Sequence, residues 1–169
     1  MELKVGDKIP NFTAKDTNGA DFDSQSIVGH KPVVIYFYPK DNTPGCTAQA
    51  CSFRDQYEDF KDLGAEVIGI SSDSVASHQE FTNQYKLPFI LLSDVDKKIR
   101  KLFGVPARVF GFVPGRVTYV ADKNGVIQMI FDNLMAAKHI PKTLEVIKKL
   151  ATDLNEYSFR KFVTQKNIQ

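Results

Sequence analysis

The stretch that decides the fold is Val33-Val-Ile-Tyr-Phe-Tyr-Pro-Lys-Asp-Asn-Thr-Pro-Gly-Cys46-Thr-Ala-Gln-Ala-Cys51. It begins with an apolar run, Val33 to Tyr38, which predicts a strand buried on both faces of a sheet. Pro39 ends that strand and a short polar turn follows it. Thr43 and the proline after it are favoured at a helix start, so the pattern places Cys46 in the first turn of a helix.

The helix is predicted to continue well beyond this stretch. Apolar side chains recur at intervals of four and three residues, the spacing of one helix face. They are Cys46, Ala50, Phe53, Tyr57 and Phe60. We therefore expect one helix from Thr43 to about Gly64, with Cys51 off the apolar face.

Strand and helix patterns alternate along the rest of the chain, and this predicts an α/β fold. An N-terminal β-hairpin is expected around Asn18-Gly19, and a second hairpin around Asp122-Lys-Asn-Gly125. Further strands are expected at 66–70, 89–92, 117–121 and 126–131, and further helices at 74–85, 96–103 and from Pro141 onward. The expected architecture is a central mixed β-sheet flanked by helices, as in a thioredoxin-like fold.

Composition indicates one compact domain. The chain has 169 residues, of which 43% are hydrophobic, and this is enough for a substantial core. We expect the domain to cover residues 1–155, with residues 156–169 as a C-terminal extension. A net charge of +2 in a chain with 25% charged residues gives no reason to expect a nucleic acid or a membrane as partner. The start of the chain lacks a signal-peptide pattern, so a cytoplasmic location is expected.

Cys46 and Cys51 are the only two cysteines of the chain. Free backbone N–H groups and the helix dipole favour a thiolate in a first helical turn, where cysteine pKa values of about 3.5 to 7.5 replace the usual value of about 8.5. The same N–H groups would hydrogen-bond an incoming oxygen, as would the Thr43 hydroxyl if it is not used in capping. These are the groups that thiolate attack on a peroxide requires, although a buried cysteine at a helix start can also be an ordinary core residue.

Helix geometry constrains the two cysteines. Five residues along an α-helix separate two Cα atoms by about 8.7 Å, whereas a disulfide requires less than about 7 Å. Cys46 and Cys51 therefore cannot bond while the helix is intact. If they do form a disulfide, the first turns of the helix must unwind.

Other sites are less well supported by the sequence. The cysteine spacing and the isolated His30, His78 and His139 do not fit a zinc site, so each histidine is interpreted as surface or local structure. Arg116 precedes an apolar strand and is either a solvated strand-edge residue or a group that stabilises the Cys46 thiolate. The cluster Lys97, Lys98, Arg100 and Lys101 is interpreted as the solvated face of a short helix.

The motif Pro39-Lys-Asp-Asn-Thr43-Pro-Gly-Cys46, with Cys51 five residues later, resembles the peroxiredoxins, in particular the peroxiredoxin Q or bacterioferritin comigratory protein group. The segments Gly6-Asp-Lys-Ile-Pro-Asn-Phe and Pro114-Gly-Arg116-Val-Thr-Tyr-Val support the resemblance, which covers roughly residues 3 to 151.

The resemblance implies a role for each site residue. Cys46 would be the peroxidatic cysteine and Cys51 the resolving one, with Thr43 and Arg116 completing the active site and Pro39 shielding it. It also implies reduction of hydrogen peroxide and organic hydroperoxides, no metal or bound cofactor, recycling by thioredoxin or a glutaredoxin-like dithiol, and a monomer.

One loop and two alternative functions complete the sequence-based expectations. The loop from Gly104 to Gly115 carries Phe110 and Phe112, which we expect to border the site and favour bulky hydroperoxides or donor docking. A disulfide reductase or isomerase is disfavoured because the C-x-x-C spacing is missing. A redox-sensing or chaperone-like binding module would use the same cysteines without rapid peroxide turnover.

Overall fold

The computed structural model describes residues 2–108, 110–111 and 113–166, with side chains in the last helix described up to Glu156 and at Ser158. The strands are β1 (Thr13–Asp16), β2 (Asp21–Asp23), β3 (Val33–Phe37), β4 (Glu66–Ser71), β5 (Ile90–Ser93), β6 (Ala107–Arg108), β7 (Val113–Pro114), β8 (Val117–Ala121) and β9 (Ile127–Asp132). The helices are α1 (Pro44–Asp55), α2 (Tyr57–Asp62), α3 (Val75–Tyr85), α4 (Lys98–Phe103) and α5 (His139–Lys166).

A seven-stranded mixed sheet forms the centre of the molecule, in the order β2-β1-β5-β4-β3-β8-β9. Strands β3, β4 and β5 are parallel, as expected where helices connect them, whereas β8 pairs antiparallel with β3. The predicted hairpins β1–β2 and β8–β9 are both present. The predicted α/β class, mixed sheet and N-terminal hairpin are therefore confirmed.

Helices cover both faces of this sheet and create two apolar layers. Alternation along β3 directs Val34 and Tyr36 into one layer and Ile35 and Phe37 into the other. On the first face, Phe53 of α1 stacks on Tyr36 with ring centroids 4.7 Å apart. The C-terminal half of α1 therefore packs against the central strand.

The long helix predicted from Thr43 to Gly64 is divided in two. Gln56 leaves the helical backbone region, with φ −101° and ψ 3°. Helical hydrogen bonds still run across it, from the Gln56 N–H to Ser52 O and from the Phe60 N–H to Gln56 O. The division is a local loosening of one turn, and no glycine or proline marks it in the sequence.

The predicted loop from Gly104 to Gly115 contains the short β6–β7 hairpin. Phe110 is 99% exposed in its turn, while Phe112 lies outside the described residues. At the C-terminus, α5 begins at His139 and continues past Asn155 to Lys166. The division into a domain and a C-terminal extension at 155/156 stays a prediction. No helix in the described ranges is long and apolar enough to cross a membrane.

Candidate active site

Cys46 lies in the first turn of α1 and is 1% exposed. The first helical hydrogen bond of α1 runs from the Thr47 N–H to Thr43 O, at 2.8 Å. The N–H groups of Gly45 and Cys46 precede it and have no intrahelical acceptor. They are free to donate to an anion at this end of the helix, as the sequence predicts.

Thr43 occupies the N-cap position but does not cap the helix with its side chain. Its backbone is extended, with φ −86° and ψ 149°, and its hydroxyl donates to Lys40 O at 2.9 Å. The oxygen lone pairs are not used in capping, so the hydroxyl can still accept a hydrogen bond from a ligand. Pro39 is half-buried and begins the turn after β3.

Arg116 contacts Cys46 directly. Its Nη2 donates to Cys46 Sγ at 3.3 Å, its Nη1 donates to Gln49 Oε1, and its Nε donates to Leu134 O at 3.2 Å. The side chain is 5% exposed, so the alternative of a solvated arginine at a strand edge is wrong. The contact places a positive charge directly beside the Cys46 sulfur.

A small residue beside the cysteine makes room for this contact. A Cβ built on Gly45 would lie 3.3 Å from Arg116 Nη2, closer than most side-chain contacts. Glycine at this position lets the guanidinium lie against the first turn of α1 without displacement.

Gln49 is a site residue that the sequence reasoning missed. It is fully buried and follows Cys46 by three residues, so both lie on the same face of α1. Its Oε1 must face Arg116, because a guanidinium can only donate. Its Nε2 has no hydrogen-bond partner among the described residues. The signal available in the sequence was this spacing, a polar residue on an otherwise apolar face.

Cys51 lies in the same helix, and both thiols are free. Cys51 is half-buried, whereas Cys46 is buried, in agreement with the position of Cys51 off the apolar face. Because α1 extends from Pro44 to Asp55, the regular helix contains both cysteines. Two free thiols in an unbroken helix are the arrangement of the reduced cysteine pair.

His139 is a buried structural residue close to Arg116. The Thr118 hydroxyl donates to Nδ1 at 2.7 Å, and Nε2 donates to Asn133 O at 2.6 Å. These partners suit a neutral imidazole, and burial lowers the pKa of His139 below its usual value. Its interpretation as local structure is confirmed, and exposed His30 is a surface residue.

His78 anchors the turn that leads into α1. Its Nδ1 lies 2.8 Å from Asp41 Oδ2 and its Nε2 lies 3.1 Å from Leu92 O. The Tyr38 hydroxyl donates to Asp41 Oδ1 at 2.7 Å, and the Ser77 hydroxyl donates to Oδ2 at 2.8 Å. The buried Asp41 carboxylate thus ties the turn to α3, a contact that no local pattern predicts.

Comparison with known proteins agrees with this geometry. Residues 5–130 match the AhpC/TSA family. Chloroplastic peroxiredoxin Q of Oryza sativa subsp. japonica is 57% identical over 150 residues, 88% of this chain and 69% of that protein. Chloroplastic peroxiredoxin Q of Arabidopsis thaliana is also 57% identical, over 87% of this chain and 68% of that protein.

Solved structures are similar as well. Peroxidoxin BcpB of Mycobacterium tuberculosis gives a TM-score of 0.82 at 30% identity, over 88% of this chain and 99% of that one. Peroxiredoxin Q of Xanthomonas campestris gives 0.77 at 30% identity, over 83% and 91% of the two chains. The extent of these matches, together with a cysteine and an arginine in contact at a helix start, shows that the chain belongs to the AhpC/TSA family, within its peroxiredoxin Q group.

Proposed function

We propose that this thiol peroxidase acts through attack of the Cys46 thiolate on the O–O bond of hydrogen peroxide or an organic hydroperoxide. The observation that carries the proposal is the contact of Arg116 Nη2 with Cys46 Sγ, at 3.3 Å, at the N-terminus of α1. An S–O bond forms and the O–O bond breaks, leaving a sulfenic acid on Cys46. The departing oxygen takes up a proton and leaves as water or alcohol.

Preorganised donors would stabilise the charge that develops on the peroxide oxygens. The N–H groups of Gly45 and Cys46 are free at the N-terminus of α1, and Arg116 Nη2 contacts the sulfur. The Thr43 hydroxyl is half-buried beside this turn and can accept a hydrogen bond from the O–H of the peroxide. Pro39, at the end of β3, would limit access of water to the site.

Cys51 would complete the cycle as the resolving cysteine. Its thiolate attacks the sulfur of the Cys46 sulfenic acid, an S–S bond forms, and the sulfenic oxygen leaves as water after taking up a proton. Because both cysteines lie in α1, the helix has to unwind between them before this bond can form.

Substrate and reductant are proposed by class. A bacterioferritin comigratory protein of Xanthomonas campestris, 29% identical with a TM-score of 0.76, is described by its alkyl peroxide reduction activity, and this supports organic hydroperoxides as substrates. We propose thioredoxin or a glutaredoxin-like dithiol as the electron donor and a monomer as the working form. The cytoplasmic location stays a prediction, and the rice and Arabidopsis relatives are named as chloroplastic.

The test is the reaction of the reduced protein with one equivalent of hydrogen peroxide, followed by stopped flow and by mass spectrometry. We expect oxidation far faster than that of free cysteine, and a product whose mass matches a Cys46–Cys51 disulfide. Cys46→Ser should abolish turnover, whereas Cys51→Ser should stop at one sulfenic acid. A wild-type rate no greater than that of free cysteine would refute the peroxidase proposal.

A further inference from the structure

The two segments that carry the proposed catalytic groups meet where β3 and β8 separate. The last residue pair between these strands is Phe37 with Val117. Beyond this pair, the Tyr38 N–H donates to Ile70 O of β4 at 3.1 Å. The chain after β3 therefore stays beside β4 and separates from β8. The chain enters the Cys46 turn after Tyr38, and Arg116 immediately precedes Val117.

Arg100 of α4 spans this separation. Its Nη2 donates to Tyr38 O at 3.0 Å, and its Nη1 donates to Gly115 O at 3.1 Å. The residue is 6% exposed, so its expected place on the solvated face of a short helix is wrong. The guanidinium lies over the Phe37 ring, with 5.6 Å between the guanidinium carbon and the ring centroid. One planar group thus joins the carbonyl before Pro39 to the carbonyl before Arg116.

The surroundings of Arg100 hold it in this position. The Asp94 carboxylate accepts the backbone N–H groups of Ile99 and Arg100, at 3.0 and 2.9 Å, and so fixes the start of α4. Because the arginine side chain is buried, water offers its guanidinium few alternative hydrogen-bond partners. Nη1 and Nη2 each donate to one of the two carbonyls, while Nε has no hydrogen-bond partner among the described residues.

The segment before Arg116 is held from its other side as well. The Gly115 N–H donates to Pro106 O at 2.8 Å, and a Cβ at Gly115 would lie only 2.4 Å from the same oxygen. The segment therefore fits closely between Pro106 and Arg100, and its position depends on both contacts.

We propose that Arg100 is a positioning residue for peroxide reduction, which sets the spacing that brings the Arg116 guanidinium onto Cys46 Sγ. The inference rests on the proposed function, because it assumes that the contact between Arg116 and Cys46 matters for attack on peroxide. Only a planar fork donates to two carbonyls on separate segments at once, whereas a lysine ammonium on a flexible stem is a point donor. Loss of the fork lets the segment before Arg116 shift, and small shifts of a catalytic group strongly reduce rate.

The experiment measures the second-order rate of Cys46 oxidation by hydrogen peroxide, by stopped flow, in the wild type and in Arg100→Lys. We expect a loss of about tenfold in the variant, with the rate of the later disulfide step unchanged. Arg100→Met, which removes both hydrogen bonds, should lose at least as much. Each rate is measured at a temperature well below the Tm of that variant, and circular dichroism gives the Tm.

Tyr119→Phe is the matched control. The Tyr119 hydroxyl donates to Phe103 O at the other end of α4, at 3.0 Å, so this variant also removes a buried hydrogen bond to a backbone carbonyl. It leaves the carbonyls of Tyr38 and Gly115 untouched, and we expect it to lose stability and keep the oxidation rate. An equal loss of rate in Tyr119→Phe and Arg100→Lys would overturn the proposal.

A double-mutant cycle separates positioning from general destabilisation. If Arg100 acts through Arg116, Arg100→Lys should have little further effect on the oxidation rate in an Arg116→Met background. A full tenfold loss in that background would overturn the proposal, as would a wild-type rate in Arg100→Lys itself. Slow oxidation of the wild type would instead refute the proposed function, so the two failures are distinguishable.

Discussion

Replacing Ala48 by glycine is expected to accelerate formation of the Cys46–Cys51 disulfide about fivefold, with little effect on the attack of Cys46 on peroxide. Ala48 is exposed in α1, between the two cysteines, and belongs to the segment that has to unwind in the proposed cycle. Its methyl group faces solvent on the side of the helix opposite to the core, so the substitution changes helix stability more than packing.

The magnitude follows from helix propensity. Glycine is about 0.8 to 1.0 kcal/mol less favourable than alanine in an exposed helix interior. Each 1.36 kcal/mol corresponds to a factor of ten, so the unwound population rises about fivefold. If unwinding precedes disulfide formation as a rapid equilibrium, the rate of that step rises by the same factor.

Quenched-flow mass spectrometry measures the two steps separately. The chain contains no tryptophan, so a direct count of sulfenic acid and disulfide at each time point is preferable to intrinsic fluorescence. Reduced protein is mixed with one equivalent of peroxide, the reaction is stopped by alkylation, and the products are distinguished by mass. At high peroxide, Ala48→Gly should also accumulate less sulfinic acid, because resolution competes better with a second attack.

Ala76→Gly provides the matched control. Ala76 is an exposed alanine near the start of α3, a helix that has no need to unwind in the cycle. The same substitution there should leave both steps at wild-type rates. Hydrogen exchange should show whether α1 is less stable in Ala48→Gly. If it is, and the rate of disulfide formation is nevertheless unchanged, unwinding of α1 does not limit that step and the reasoning is refuted.

Arg116→Met should slow oxidation of the cysteine by about tenfold to a hundredfold, because a hydrogen bond from a charged group contributes about 1.5 to 3 kcal/mol; an unchanged stopped-flow rate would contradict this. Burial lowers the pKa of His139 below 6.5, so the unfolded chain binds a proton there before the folded one, and the free energy of unfolding should fall as pH drops below about 6.5. Urea titrations should show a smaller fall in His139→Gln than in His30→Gln, and equal falls would exclude this origin. Phe110→Ala, at a 99% exposed ring, should lower kcat/KM for bulky hydroperoxides but not for hydrogen peroxide; unchanged values for both would count against a role in substrate choice.

Local sequence patterns predicted most of the fold, because they reflect interactions between residues that are close together in the chain. The buried strand at 33–38 and the hairpins around Asn18-Gly19 and 122–125 follow from apolar runs and turn residues, which act over a few positions. The loosened turn at Gln56 was not predictable in this way, since no helix-breaking residue marks it. The two-residue strands β6 and β7 are too short for periodicity to detect.

The candidate site was predicted only in part, since its geometry joins distant segments. Arg116 and Cys46 are 70 residues apart in the chain, and the sequence could identify each without placing them in contact. Arg100 illustrates the limit more sharply, because its lysine neighbours give a pattern typical of a solvated helix face. Only the fold shows that one member of this cluster points inward, towards carbonyls released where two strands separate.

The contact of Arg116 with both Cys46 and Gln49 has a consequence for the order of events. A single guanidinium connects α1 to the residue before β8, and one of its two acceptors on α1 is the Cys46 sulfur. The tie is strongest when the sulfur carries a negative charge. Oxidation to a neutral sulfenic acid would remove that charge, so the proposed chemical step would itself weaken the contact between Arg116 and the helix that has to unwind in the proposed cycle.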